Sequence, residues 1–407
     1  MKKFKFMILL SVAMSPLQAF AAVYQPSFAF LNPVGNFADD FANSIGISGR
    51  TVVIGASSVD TQGNNVGSAY LYDIKQGDLL SVLANPSPTQ NDYFGRQVGI
   101  SEKNVIVGGF GNGGSAYIFD SKSGEVVHDL KAAAGLTGSA FGAQVEIDGN
   151  WTLVTSYGST NPGVSSVDAV SVFDSISGKL LRTINDPSPD DREQFGHSLS
   201  ISGSNLLLSS PQFDTSAPSG TVYLYDLVSG NLLRTFDNPN PNTGDRFGAA
   251  VALKGDKVLI GAPGFGAVGG VAYLFDASTG DLLHTLENAF SNTVGFGFSV
   301  ALEGNTAMVG GGGSVHQFEV STGTLVRTFE NPDAGGFGIS LALEGKNLIV
   351  GSSFTDQGGA AFLYELNKLV EVDPVPNPTP VPLVGSSALL LSGLASFAFA
   401  TRRQKRC

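Results

Sequence analysis

GDRFGAAVALKGDKVLIGAP, residues 244–263, sets a Phe-Gly pair before two apolar runs joined by a tight Lys-Gly-Asp turn. The pair recurs at Phe94-Gly95, Phe141-Gly142, Phe195-Gly196, Phe296-Gly297 and Phe337-Gly338, with a degenerate first copy at Phe41-Ala42. Successive Phe residues stand 53, 47, 54, 52, 49 and 41 apart, which marks an array of seven supersecondary units.

Each unit reads the same way. After Phe-Gly comes strand A, such as Ser299-Val300-Ala301-Leu302, then a short turn such as Lys254-Gly255-Asp256. Strand B is apolar on both faces, as in Val258-Leu259-Ile260-Gly261-Ala262, and so must be covered on both sides. A Gly-rich loop leads to strand C, Val271-Ala272-Tyr273-Leu274-Phe275-Asp276. An Asp-to-Gly turn leads to strand D, Leu282-Leu283-His284-Thr285-Leu286. Four antiparallel strands in each of seven units predict an all-β, seven-bladed β-propeller. The seventh unit lacks a clear strand D. Phe28-Ala29-Phe30-Leu31-Asn32-Pro33 resembles Arg234-Thr235-Phe236-Asp237-Asn238-Pro239, so the N-terminal strand is expected to complete the last blade and close the ring.

Bulk composition agrees. The 407 residues include 52 Gly and only 14% charged residues, as short strands and tight turns require. The single Cys, Cys407, excludes an internal disulfide framework. Net charge is −12. Lys2, Lys3, Lys5, Arg402, Arg403, Lys405 and Arg406 lie in acid-free end segments, so the body between them carries −19, seven below the whole chain. That body repels phosphate backbones, and nucleic acid is excluded as a partner.

The ends read as addresses. Residues 1–21 have a Lys-rich start, an apolar run and Ala19-Phe20-Ala21, the layout of a secretory signal peptide cut after Ala21; a buried N-terminal helix is the other reading. The propeller would occupy 22–372. Alternating prolines make 373–382 an extended linker. Residues 383–401 carry no charge over 19 positions, close to the roughly 20 that span a bilayer as a helix. Residues 402–407 form a basic cytoplasmic tail. The fold expectation therefore adds a C-terminal single transmembrane-type sorting helix.

This tail resembles the PEP-CTERM sorting signals and their VPLPA variant, on Val381-Pro382-Leu383, the apolar stretch and the basic end. The Pro or Ala expected after Leu383 is replaced by Val384. The resemblance implies an exosortase-type sorting enzyme as partner and transient insertion in the inner membrane. It further implies a cell-surface or matrix destination in a Gram-negative bacterium that makes exopolysaccharide. A plain membrane anchor is the other reading. The body resembles the FG-GAP repeat family over about residues 28–366, best in the copy with Phe247-Gly248 and Gly261-Ala262-Pro263. That family implies an adhesion or ligand-binding scaffold, often with calcium bound in acidic loops between strands A and B. Here those turns are short, as in Ser48-Gly49-Arg50 and Asp148-Gly149-Asn150, and calcium is not carried over to them.

Two residues before the Phe stand Asp39, Asp92, Glu193 and Asp245. In a closed ring they are candidates for an acidic collar that binds a cation or a polyhydroxyl ligand; the local reading is a carboxylate accepting turn N–H groups. His128 and His284 share the strand-D slot held elsewhere by Arg182, Arg234 and Arg327, a polar blade surface and not a metal cluster. No metal, cofactor or catalytic residue is assigned. Gly264–Gly269 fits GxGxxG but lies between strands, without the helix that dinucleotide binding needs. The strand C–turn–strand D unit is similar to quinoprotein propeller repeats, but a lone Trp151 cannot supply their recurring docking Trp. The function expected is a secreted, non-catalytic binding or structural protein for a polysaccharide or surface protein. The alternative is an extracellular polysaccharide hydrolase using rim carboxylates.

Overall fold

The computed structural model describes residues 23–372 apart from 36–38, 61–63, 135, 137–139, 158–167, 189–193, 213–219, 242–243, 265–268, 289–294, 332–334, 354, 356–357 and 370. The chain divides into two units, Met1–Val372 and Asp373–Cys407, and the second lies outside the described residues.

Seven four-stranded antiparallel sheets are formed, each a blade with strands in the order A-B-C-D. In blade 5 the strands are Ala250–Lys254, Lys257–Ala262, Val271–Asp276 and Leu282–Glu287. The A strands contact one another blade to blade around the ring, including Ser340–Glu344 of blade 7 against Phe41–Ser48 of blade 1. Closure is as expected. Phe28–Leu31 pairs with Ala360–Glu365, with Phe28 opposite Leu363 and Leu31 opposite Ala360, and supplies strand D of blade 7. A second short ladder ties the ends together, Val23 to Val372 and Tyr24 to Glu371. Tyr24 also packs on Phe329 of blade 6, and the Arg327 guanidinium lies 5.4 Å from its ring centre.

The Phe-Gly pair has a specific geometry. In Arg246-Phe247-Gly248-Ala249 the Ala249 N–H donates to the Arg246 carbonyl at 2.9 Å, and Gly248 has φ +88°. These are the marks of a type II turn with Phe and Gly as its central residues; the second must reach positive φ. The turn throws the Phe outward between blades. Phe94 packs with Leu71 and Leu83 of blade 1 and with Tyr117 and Phe119 of blade 2. All seven repeat Phe residues are fully or almost fully buried. The A–B turns are two-residue hairpins. Gly255 sits at the first central position with φ +58°, where a type II′ turn needs it.

Polar contacts lock neighbouring blades at two radii. Near the axis, Ser198, Ser200 and Ser202 of blade 4 each accept a backbone N–H from blade 5: Val251 at 3.1 Å, Leu253 at 3.0 Å and Gly255 at 3.0 Å. The alternating serines thus satisfy strand N–H groups that no sheet partner reaches. At the periphery, the strand-D slot reaches into the C–D turn of the next blade. His128 Nε2 lies 2.8 Å from the Ile176 carbonyl, Arg182 donates to Val228 O at 2.5 Å, and Arg234 donates to Ala277 O at 3.3 Å and to Ser278 O. The slot read from sequence as polar surface is therefore an inter-blade fastening.

Candidate functional site

Because the type II turn ends each blade crossing, the residue just after it heads strand A at one mouth of the central channel. Six blades place Asn43, Arg96, His197, Ala249, Phe298 and Ile339 there. Blade 3 contributes Gln144 and Glu146 instead. Together they border an open cavity of about 390 Å³. Its wall is unequal. Blades 1 to 5 supply amides, guanidinium groups and an imidazole, whereas Phe298, Ile339 and Leu341 of blades 6 and 7 supply an apolar side.

Arg96 is exposed, and its guanidinium lies 5.2 Å from the ring centre of Phe110. Phe110 in turn stacks on Tyr93, with centroids 5.0 Å apart and planes 12° from parallel. This stack holds the cation over an aromatic face. His197 Nδ1 lies 3.1 Å from Gln194 Oε1, the contact of an imidazole N–H donating to an amide carbonyl. Burial, and then the charges of Arg96 and Arg246, push the His197 pKa down to about 4, so the ring is neutral at pH 7. The two arginines, from blades 2 and 5, therefore face a common space with a blade 4 residue. Glu146 stands deeper. Burial, reinforced by the nearby Asp148, raises its pKa to about 8, so it is largely protonated at pH 7.

The collar residues sit elsewhere, inside the crossings between blades. Asp39 and Asp92 are buried and Asp245 is half-buried. Each accepts a hydrogen bond from the Asn seven residues earlier: Asn32 to Asp39 at 2.8 Å, Asn85 to Asp92 at 2.9 Å and Asn238 to Asp245 at 3.2 Å. Asp92 also accepts the Thr89 N–H at 2.6 Å. The same asparagines accept N–H groups two residues on, from Val34, Ser87 and Asn240, each at 3.0 Å. Asn-Pro is thus a staple for the crossing as well as a strand breaker. Glu193 lies outside the described residues, as do Ala21, Val381, Pro382, Leu383 and most of the Gly264–Gly269 loop. Among the described residues no three His, Cys, Asp or Glu side chains come together as a metal-binding group. None of the helices among them is long and apolar enough to cross a membrane.

The remaining histidines are separate. His316 is fully buried between Ser314 Oγ at 2.9 Å and Thr328 Oγ1 at 3.0 Å, and burial pushes its pKa down to about 4. His284 packs against Gly323 of blade 6, the counterpart of His128 against Gly178. Sequence reading did not single out the channel residues. The signal was available: aligning the copies on Phe shows one position of widely varying chemistry two residues later.

The fold and repeat define a seven-bladed β-propeller built from FG-GAP-like units. The family model for the FG-GAP repeat matches residues 31–72 and 239–275, the passages from crossing to strand C in blades 1 and 5. No curated protein matches the chain. A solved structure that resembles it is BamB from Moraxella catarrhalis, with 17% identity over 79% of this chain and 85% of that one, and a TM-score of 0.47.

Proposed function

We propose that this chain is an exported, non-catalytic binding or structural scaffold, displayed at the surface or in the extracellular matrix of a Gram-negative bacterium and sorted through its PEP-CTERM-like tail. One observation carries the binding part. A single backbone turn is repeated around the ring, and the residue it delivers to the channel mouth changes from blade to blade: Asn43, Arg96, His197, Ala249, Phe298 and Ile339. Varied side chains on an unvarying frame suit recognition. The export and sorting part rests on residues 1–21 and 373–407 and their resemblance to known signals. The ligand is a polysaccharide or another surface protein.

The test is a glycan-array screen of the purified chain, with calcium and with chelator, followed by mass analysis of bound glycans. Binding without shortening is expected. Shortened glycans would replace the scaffold with a hydrolase that uses rim carboxylates. Loss of binding with chelator would assign a cation to the collar of Asp39, Asp92, Glu193 and Asp245. Mass spectrometry of the exported chain would show ends after Ala21 and near Val381-Pro382-Leu383 if both signals are processed.

A further inference from the structure

We propose that the outer edge of blade 7, Phe28–Leu31, with the adjoining rim of blade 1, Leu79–Ala84, is the contact through which two copies of this chain form a closed dimer.

Most of the exposed large apolar residues lie on strand D, the outermost strand of each blade. Leu31 is 49% exposed, Leu80 52%, Val82 49% and Leu233 51%. An edge strand also presents unpaired N–H and C=O groups, and an unguarded one pairs with another chain. Six of the seven edges are guarded. In blades 1 to 6 strand D carries a β-bulge, where the register skips Leu80, Val127, Leu181, Leu233, Leu283 and Val326. A bulge twists the edge away from a flat partner. Blades 2 to 6 add a charge within the strand: Asp129, Arg182, Arg234, Glu287 and Arg327.

Blade 7 has neither device. Phe28–Leu31 pairs with strand C in unbroken register and carries no charge. Its slot residue differs as well. Where blades 1 to 6 place Ser81, His128, Arg182, Arg234, His284 and Arg327, blade 7 places Phe28, which packs against Gly77 in the C–D turn of blade 1. Phe28 is still 38% exposed, and Gly77 stands two residues before Leu79, so the two outer strands adjoin. By the two-residue period of a strand, Phe28 and Leu31 point to opposite faces, and the edge is apolar on both. No charged residue occurs over 22–38 or over 79–91.

These features select a second copy as the occupant. The body is strongly acidic, so two copies repel wherever charged surfaces meet, and this stretch of rim is where they approach without that cost. Pro26 and Pro33 bound the strand and stop pairing from running further along the chain. Among the described residues each molecule has one edge that lacks both guards. Paired with its own copy, antiparallel about a twofold axis, that edge is used up in both molecules, and none is left for a third. The product is a dimer and not a fibre.

The experiment is sedimentation equilibrium of the full-length chain in density-matched non-ionic detergent, over a range of protein concentrations at low and high salt. Wild type is expected to show a monomer–dimer equilibrium that strengthens with salt, because screening removes the repulsion between acidic bodies and leaves the apolar contact. Leu31→Glu and Leu80→Glu should each weaken the dimer at least ~10-fold. Leu233→Glu, at the same bulge position as Leu80 but in blade 4, should leave it unchanged. Phe28 is kept in every variant because it closes the ring, and unchanged melting shows that the fold is intact. A wild type that stays monomeric overturns the inference, as does a dimer indifferent to Leu31→Glu and Leu80→Glu. So does equal weakening by Leu233→Glu, the mark of a rim that is sticky all round. Species that grow past the dimer with concentration overturn the closed pairing, and a dimer that weakens with salt replaces the apolar contact with a charged one.

Discussion

A Cβ added to Gly261 would lie 2.0 Å from the carbonyl oxygen of Gly297, one blade further around the ring. Gly261 belongs to the Gly-Ala-Pro of blade 5, and Gly297 to the Phe-Gly of blade 6. The two halves of the repeat motif are therefore the two sides of one contact between neighbouring blades. The same approach joins Gly55 to Gly95 at 1.9 Å and Gly108 to Gly142 at 2.4 Å. Where strand B of blade 3 carries Thr155 instead, its hydroxyl donates to Gly196 O at 2.9 Å, so the contact becomes a hydrogen bond.

Gly261→Ala should therefore cost about 3 kcal/mol, the upper end for overpacking, because the obstructing atom is backbone and cannot rotate away. Gly255→Ala, with nothing within 4 Å of the added carbon, should cost about 1 kcal/mol from its left-handed φ alone. Urea unfolding of the pair compares them. Equal losses would show that the glycine does not serve the blade contact.

Blade 2 breaks the hairpin rule. Six A–B turns place Gly at the first central position, with φ between +54° and +63°, whereas blade 2 places Glu102 there at +50°. Glu102 is exposed and its side chain has no buried role to lose. Glu102→Gly should relieve roughly 1–2 kcal/mol of left-handed strain, offset by up to about 1 kcal/mol of added chain entropy in the unfolded state. A small rise in the unfolding midpoint is expected. A fall would mean that this turn is not strained.

Asn85→Ala should destabilise the crossing between blades 1 and 2. It removes the amide that Asp92 accepts and the oxygen that caps Ser87 N–H. A buried carboxylate that loses a partner costs about 1–3 kcal/mol. Asn85→Asp is the sharper variant, since it sets two carboxyl groups together and should lose stability further as pH rises from 4 to 7. Equal stability of Asn85→Ala and wild type in chemical denaturation would remove the staple from the account.

Two channel residues set opposite pH trends. The Glu146 pKa rises from the usual carboxylate value near 4.5 to about 8, so the folded chain holds a proton that the unfolded chain releases. Its contribution is complete below pH 4.5 and is lost as pH climbs to 8, at up to about 1.4 kcal/mol per pH unit. The His197 pKa falls from 6.5 to about 4, so stability is lost as pH drops through that window. Glu146→Gln should therefore gain on wild type between pH 5 and 8, and His197→Gln between pH 6.5 and 4. Parallel stability curves for Glu146→Gln and wild type would refute the buried-acid assignment.

The repeat was legible in the sequence because it is local. Each Phe-Gly turn, two-sided strand B and Asp-to-Gly turn lies within about 50 residues, and the stray strand at Phe28–Leu31 showed how the ring closes. The acids before four of the seven Phe residues were legible too, as a shared position, but not the amide partners that Asp39, Asp92 and Asp245 have seven residues earlier. That pairing depends on the path of the crossing. Nor did the sequence show that Arg182 and Arg234 are fastenings, because their partners lie in the next blade. The channel mouth is the extreme case. Arg96, His197, Arg246 and Phe298 are spread over about 200 residues and belong to four blades. Only ring closure, which turns a linear array of strand A starts into a circle of near neighbours, makes them one surface.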